Sequence, residues 1–323
     1  MVHRFFYLFP LVFIHTAQVS QSPPQERSLP GRLVPASTTM VTAWDLPRDP
    51  LSDSALGSSP RAELIRRGFR IFMRTPAEAP KYAANGLSCG NCHLNGGQRE
   101  RALPVVGVAG VFPEYNKREG RSFSLEDRIV GCFMRSENAT GSAGSSDAPH
   151  GGPDTTRYPG PGTGEVTALA AYIRWLSEGF SPGEKLPWRG QNTIHPDSLI
   201  PVARLDRNRG KALFNDHCRA CHGEDGQGVQ IGDKKAGPLW GPDSWNDGAG
   251  AARVYTLAGI IRYAMPYLNP GGLTDEEAQQ IAAFIDSMPR PEYPLKGDDY
   301  RTSPLPPDAL YYKSRGTDAP PGH

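Results

Sequence analysis

The chain has 323 residues, which is enough for two domains that each bury a separate core. Its 35 Lys and Arg residues nearly balance its 34 Asp and Glu residues, and a net charge of +1 argues against a general nucleic-acid-binding surface. The 36 Gly and 32 Pro residues together exceed the usual share of ~12% of a chain, which predicts many long loops.

The amino terminus has the layout of a secretory signal. His3 and Arg4 precede the apolar run from Phe5 to Ile14, and a polar segment with small residues follows as far as Ser22. The run is too short to span a bilayer, which takes about 20 apolar residues. We therefore expect residues 1–22 to be a signal peptide and the mature protein to be periplasmic, without a stable membrane anchor. An uncleaved anchor is the alternative.

Residues 23–57 are rich in Pro, Ser and Thr and predict an extended N-terminal arm. From Pro60 onward, apolar residues recur at helical spacing and predict an amphipathic helix that ends near Pro76. Gly68 and Phe72 are four residues apart in this helix and therefore lie on one of its faces.

Two copies of the pattern Cys-x-x-Cys-His follow, at Cys89 to His93 and at Cys218 to His222. This pattern joins two haem vinyl groups to two thiols and supplies a proximal imidazole. A zinc or redox Cys-x-x-Cys that happens to precede a histidine is the alternative. Because the histidine is adjacent in both copies and the chain carries an export signal, the pattern predicts two covalently bound haem c groups, one in each domain.

The fifth cysteine, Cys132, lies in a segment with an unusual density of arginines, namely Arg118, Arg121, Arg128 and Arg135, with Ser136 next to the last of them. Guanidinium groups suit oxyanions, and nearby cations favour the thiolate form of a cysteine. For each arginine the alternatives are a solvated surface charge, a salt bridge to a haem propionate or a pair with a neighbouring carboxylate.

A Gly/Ser/Pro-rich loop from Gly141 leads to a predicted helix over residues 164–178 that closes the first domain. Residues 181–201 contain three prolines and are predicted to link the domains. A second opening helix is predicted from about Leu205 to His217 and again carries a glycine and an aromatic residue four apart. The capping box that begins at Thr274 predicts a second closing helix to about residue 287.

The predicted fold is therefore mainly α. It consists of two domains, at residues 58–180 and 202–290, each with a covalent haem, joined by the Pro-rich linker 181–201. In both domains the glycine and the aromatic residue of the opening helix resemble the arrangement of a class I cytochrome c. Residues 291–323 contain further prolines and are predicted to form an extended C-terminal tail.

Met265 is the predicted sixth ligand of the second haem, because it follows Cys221 by 44 residues and precedes the closing helix. Core packing of Met265 and ligation by Met288 are the alternatives. The run Gly237-Pro238-Leu239 resembles the loop whose proline carbonyl holds the proximal imidazole, here that of His222.

The first domain has no matching Met-Pro pair. Instead, Cys132 follows Cys92 by 40 residues, which makes it the positional equivalent of Met265. A thiolate donates strongly to iron and lowers the haem potential, whereas a methionine raises it. A buried inert thiol and an intermolecular disulfide are the alternatives for Cys132.

Together, the two cytochrome domains, the run Gly131 to Asn138 and the methionine of the second domain resemble the tetrathionate-forming dihaem thiosulfate dehydrogenases. The resemblance covers roughly residues 56–290, and the run Cys-Phe-x-Arg-Ser-x-Asn is its most specific part. It implies His93 and Cys132 as the axial ligands of a catalytic first haem. It also implies that Arg118, Arg128 and Ser136 bind the oxyanion.

The resemblance implies an oxidoreductase that couples two thiosulfates to one tetrathionate. Electrons would pass through the second haem to a soluble cytochrome c or a similar acceptor. Two other functions stay open: a dihaem electron carrier without a substrate site, and a sulfur-oxidation cytochrome that loads thiosulfate onto a carrier protein. No nucleic-acid partner is expected.

Overall fold

The computed structural model describes residues 33–36, 45–139, 159–231 and 234–312. The predicted signal peptide at 1–22 lies outside these residues. So do most of the predicted N-terminal arm, the greater part of the Gly/Ser/Pro-rich loop and residues 313–323 of the predicted tail.

The described residues form two helical groups that follow one another along the chain. The first contains α1 (Pro60–Met73), α2 (Thr75–Glu78), α3 (Cys89–Cys92), α4 (Leu94–Gly97), α5 (Leu125–Arg135) and α6 (Gly164–Leu176). The second contains α7 (Arg207–His217), α8 (Arg219–His222), α9 (Val254–Ala264) and α10 (Asp275–Ile285). Each group encloses its own apolar core, as the predicted mainly helical fold with two domains requires.

Strands are few and short among the described residues. An antiparallel hairpin in the first domain joins β1 (Glu114–Asn116) to β2 (Arg121–Phe123), with Glu114 opposite Phe123. A second hairpin joins β3 (Gln230–Ile231) to β4 (Lys234–Lys235). Short 3₁₀ segments lie at Ser54–Leu56, Val108–Val111, Pro196–Ser198, Val202–Arg204, Gly250–Ala252 and Lys296–Asp298.

The first domain is built on the crossing of α1 and α6. Ser59 caps α1 through its side chain, and Pro60 occupies the first turn, where its missing N–H costs nothing. At the crossing, a Cβ on Gly68 would lie 2.0 Å from the Ala168 carbonyl oxygen. Glycine is therefore the residue that lets the two backbones approach this closely.

The second domain repeats this crossing with α7 and α10. A Cβ on Gly210 would lie 2.1 Å from the Gln280 carbonyl oxygen. The rings of Phe214 and Phe284 pack beside it with centroids 5.6 Å apart. The predicted capping box is present at the start of α10, where Thr274 and Glu277 bond reciprocally.

Of the helices longer than four residues, α5 and α9 were not predicted from the sequence, and residues of both line the cavity described below. The helix α5 begins at a capping box between Ser124 and Asp127 and places Cys132 in its last two turns. The helix α9 ends just before Met265. Both helices are 11 residues long, and their apolar faces pack into the two domain cores.

The linker, residues 181–201, and a buried side-chain amide hold the two domains together. The linker places Trp188 in the first core and Ile194 in the second. The side chain of Asn85 in the first domain donates to the carbonyl oxygens of Ser136 and Ser244. Since the Ser244 carbonyl belongs to the second domain, the two cores are joined by buried polar contacts as well as by the chain.

None of the helices within the described ranges is long and apolar enough to cross a membrane.

Replacing Gly68 by alanine is expected to lower the free energy of unfolding by about 1–3 kcal/mol, because the new methyl group meets backbone that cannot rotate away. Chemical denaturation of the holoprotein measures this loss. Gly250→Ala is the matched control, since a Cβ at Gly250 would meet nothing within 4 Å. Equal stabilities of the two variants would contradict the proposed close approach.

Candidate functional site

The first Cys-x-x-Cys-His motif forms the short helix α3, which brings Cys89 and Cys92 onto one face. Ser88 and Asn91 form a capping box that fixes the start of this turn. Both thiols are free of disulfides, and burial raises the pKa of Cys92 to about 12. Both thiols line the same cavity.

The imidazole of His93 is oriented by a single backbone contact. Its Nδ1 atom lies 2.5 Å from the carbonyl oxygen of Leu103, which has a left-handed backbone conformation with φ 52°. Burial lowers the pKa of His93, so the ring is neutral, and the contact makes Nδ1 the protonated nitrogen. The Nε2 atom is then left as a lone-pair donor, as an axial iron ligand requires.

Helix α5 brings Cys132 to the same cavity. One turn earlier, Arg128 extends its guanidinium so that Nη1 lies 3.1 Å from the Cys132 sulfur. The spacing of four residues puts both side chains on one helix face. The guanidinium is therefore in direct contact with the cysteine sulfur at the cavity.

Ser136, at the C-terminal cap of α5, also lines the cavity. The cavity has a volume of about 420 Å³, and its walls are largely apolar, with Phe72, Leu125, Ile129, Phe133 and Ile173 among them.

These residues fit a covalent haem. Two reduced thiols, a neutral imidazole and an apolar cavity are what haem c attachment requires, and the cysteine sulfur of α5 lines the same cavity. The residues that would hold the group are Cys89, Cys92 and His93, with Cys132 as the predicted second axial ligand.

Arg118 is the predicted site residue that the structure places elsewhere. Its guanidinium donates to the Gly248 carbonyl of the second domain, and its own carbonyl accepts from Tyr300 N at 2.6 Å. It is not among the residues that line the cavity. The first site thus brings together Arg128, Cys132 and Ser136. Arg118 instead lies where the first domain contacts Gly248 of the second domain and Tyr300 of the C-terminal segment, residues 291–312.

The other two arginines near Cys132 match the alternative of pairing with carboxylates. Arg121 forms ion pairs with Glu119 and Asp127. Arg135 is buried and paired with Asp299 through two bonds of 2.7 and 2.8 Å. Neither guanidinium lines the cavity.

Three charged lining residues were missed by the sequence analysis. Glu137 is 2% exposed, burial raises its pKa well above the usual value, and its Oε2 atom has no hydrogen-bond partner among the described residues. Glu114 and Arg189 form an ion pair on another part of the wall. No sequence signal marks these residues, since Glu137 only continues the run after Ser136 and Arg189 lies in the linker.

The second motif continues from α7 into α8. The Nδ1 atom of His222 lies 3.3 Å from the carbonyl oxygen of Gly237, so the expected contact with the Pro238 carbonyl is wrong by one residue. The Pro238 carbonyl instead accepts from the Ser244 hydroxyl at 3.2 Å. Burial lowers the pKa of His222, and its Nε2 atom is free of this contact, so this motif also fits a haem.

The two cysteines of the second motif and the predicted ligand Met265 lie in different surroundings. Cys218 packs against the second core, and burial raises its pKa to about 12, whereas Cys221 is exposed. Met265 packs with Leu94 and Ala102 of the first domain, immediately after α9. Its ligation of the second haem stays a prediction, as does the alternative of Met288, which packs against the second core.

Both domains match known protein families. Residues 79–181 match the family model described as SoxA/TsdA, cytochrome c domain. Residues 206–285 match the model described as cytochrome C oxidase, cbb3-type, subunit III. The two motifs thus lie in two cytochrome c domains, and the protein carries two covalent haem c groups.

Several relatives are named thiosulfate dehydrogenase. The one from Allochromatium vinosum is 39% identical over 251 residues, which is 75% of this chain and 82% of the relative. The one from Stutzerimonas stutzeri is 35% identical over 246 residues, which is 76% of this chain and 73% of the relative.

A solved structure, the thiosulfate dehydrogenase TsdBA from Marichromatium purpuratum in its as-isolated form, aligns with a TM-score of 0.63 and 34% identity. The match covers 73% of this chain and 48% of that chain, so this chain spans about half the length of that protein.

Replacing both cysteines of one motif by alanine is expected to remove one of two haems, because each motif alone holds its group. The two variants are Cys89→Ala with Cys92→Ala, and Cys218→Ala with Cys221→Ala. Pyridine haemochrome spectra and intact mass measure the haem content. Two haems in the wild type and one in each variant are expected, and a variant that keeps two would contradict the assignment.

Proposed function

Since this chain belongs to the thiosulfate dehydrogenase family, we propose that it oxidises two thiosulfate dianions to one tetrathionate dianion at the first site and releases two electrons. The observation that carries this proposal is the pairing of the Arg128 guanidinium with the Cys132 sulfur at 3.1 Å, on a cavity that His93 also lines. An electron carrier has no need of a cation and a thiol beside its haem pocket.

His93 and Cys132 would hold the haem iron, and the haem would supply a one-electron acceptor at the cavity. The chain's own residues set the conditions for that chemistry. The Leu103 carbonyl fixes the tautomer of His93, and the Arg128 guanidinium donates to the Cys132 sulfur.

Joining two thiosulfates requires that their mutual repulsion be offset. Two dianions 4 Å apart repel by about 4 kcal/mol even in bulk water, and by more in a cavity of lower dielectric. The Arg128 guanidinium offsets part of this repulsion, and the Ser136 hydroxyl donates a hydrogen bond to a sulfonate oxygen. The apolar walls exclude water and strengthen both interactions.

The Cys132 sulfur is also the proposed acceptor of the thiosulfate sulfur. In this route the thiolate and one thiosulfate lose two electrons and form a cysteine S–S–sulfonate. The sulfur of a second thiosulfate then attacks the sulfane sulfur, which releases tetrathionate and restores the Cys132 thiolate. Charge balances in both steps, and the two electrons leave to an external acceptor.

The second domain is the proposed electron exit, where His222 and Met265 would hold the haem. A histidine–methionine pair would give that haem a higher potential than a histidine–cysteine pair would give the first, which favours the second domain as the exit. The proposed acceptor is a soluble cytochrome c or a similar protein, and the proposed compartment is the periplasm, where haem c is attached after export.

Cys132→Ala and Cys132→Ser are each expected to lower the rate of thiosulfate oxidation by at least about 100-fold, because both remove the sulfur that Arg128 holds. The assay follows thiosulfate-dependent reduction of ferricyanide by the purified holoprotein. Tetrathionate is counted in parallel, with two thiosulfates consumed for each one formed. Haem content and the spectrum of the second haem serve as controls, and unchanged rates in both variants would remove the proposal.

Arg128→Lys is expected to lower the same rate by about 10-fold, because an ammonium retains the charge but loses the planar donor geometry. Arg174→Lys is the control, since Arg174 lies on α6 in an exposed pair with Glu126 and does not line the cavity. Equal rates of the two variants would show that Arg128 acts only as a surface charge.

A further inference from the structure

The linker forms part of the cavity wall. It is anchored on both sides, since the Trp188 indole N–H donates to the Val106 carbonyl at 3.1 Å and Ile194 is buried in the second core. Between these anchors, Arg189 and Asn192 line the cavity. The amide of Asn192 donates to the carbonyl of Arg101, which fixes the linker against the first domain.

Arg189 forms an ion pair at the cavity wall. Its guanidinium donates to Glu114, the first residue of β1, which also lines the cavity. The two side chains are 50% and 42% exposed. Ion pairs this exposed contribute little to stability, so a dianion from solution can replace the Glu114 carboxylate at little cost.

The charges of the cavity show why such a replacement matters. Among the described lining residues, the guanidinium groups are those of Arg128 and Arg189, and the carboxyl groups are those of Glu114 and Glu137. Two thiosulfates bring four negative charges, and Arg128 alone supplies one positive charge. Arg118 is engaged at the Gly248 carbonyl outside the lining.

We infer that Arg189 is the second anion-binding group of the cavity and holds the sulfonate end of the incoming thiosulfate or of the departing tetrathionate. Glu114 acts as its internal competitor, which occupies the guanidinium until the substrate arrives. This inference rests on the proposed function for the identity of the anion. The backbones of the linker and of the β1–β2 hairpin are both fixed, so only the two side chains have to part.

The test compares Arg189→Gln with Glu114→Gln, because the two roles predict opposite results. If the pair were only structural, both variants would break it and behave alike. If Arg189 binds the anion, Arg189→Gln raises the KM for thiosulfate about 10-fold, whereas Glu114→Gln lowers it severalfold by freeing the guanidinium.

The matched controls are Arg209→Gln and Glu276→Gln in the second domain. Their pair is exposed to a similar degree, at 54% and 39%, and neither residue lines the cavity. Both controls are expected to leave the KM unchanged. A KM of Arg189→Gln equal to that of Arg209→Gln would overturn the inference.

A second readout does not depend on turnover. Isothermal titration calorimetry of the oxidised holoprotein with tetrathionate is expected to give about 10-fold weaker binding for Arg189→Gln and tighter binding for Glu114→Gln. If Arg189→Gln weakens tetrathionate binding but the wild type does not oxidise thiosulfate, the anion site would stand and the proposed substrate would be wrong. If Arg189→Gln turns over thiosulfate normally and binds tetrathionate as tightly as the wild type does, Arg189 does not bind the anion. The same conclusion follows if the wild type shows no measurable binding.

Discussion

The first site depends on the placement of α5 against the haem-binding turn, because each carries one side of the cavity. Arg135, at the end of α5, forms a bidentate ion pair with Asp299, and the two side chains are 8% and 1% exposed. Removing one partner of such a buried pair costs about 3–5 kcal/mol. The pair ties the helix that carries Cys132 and Arg128 to the segment that follows the second domain.

The cavity of this thiosulfate dehydrogenase relative is therefore not a property of the first domain alone. Trp245, Thr256 and Ile260 of the second domain line it, and so does Arg189 of the linker. A haem-binding motif needs only its own turn and a nearby pocket. In this chain the second domain and the linker supply part of the cavity wall.

The features that could be predicted from the sequence are those that depend on neighbours along the chain. The two Cys-x-x-Cys-His motifs need only one helical turn to place their thiols together. Gly68 and Gly210 mark the two helix crossings, because backbone contact excludes any side chain there. The capping box at Thr274 satisfies its donors within four residues. The 40-residue spacing from Cys92 predicted that Cys132 would lie near the first haem motif, and Cys132 does line that cavity, although its helix was not predicted.

Only the tertiary structure decided which charged groups meet at the cavity. Arg118 stands near Cys132 in sequence but donates to the Gly248 carbonyl, whereas Arg189 is 57 residues beyond Cys132 and lines the same cavity. Sequence distance cannot rank these two arginines, because the direction of a long side chain is set by packing between domains. The sequence by itself determined two haem motifs and their helical frames, whereas the folding of the linker and the second domain against the first determined which charged groups line the cavity.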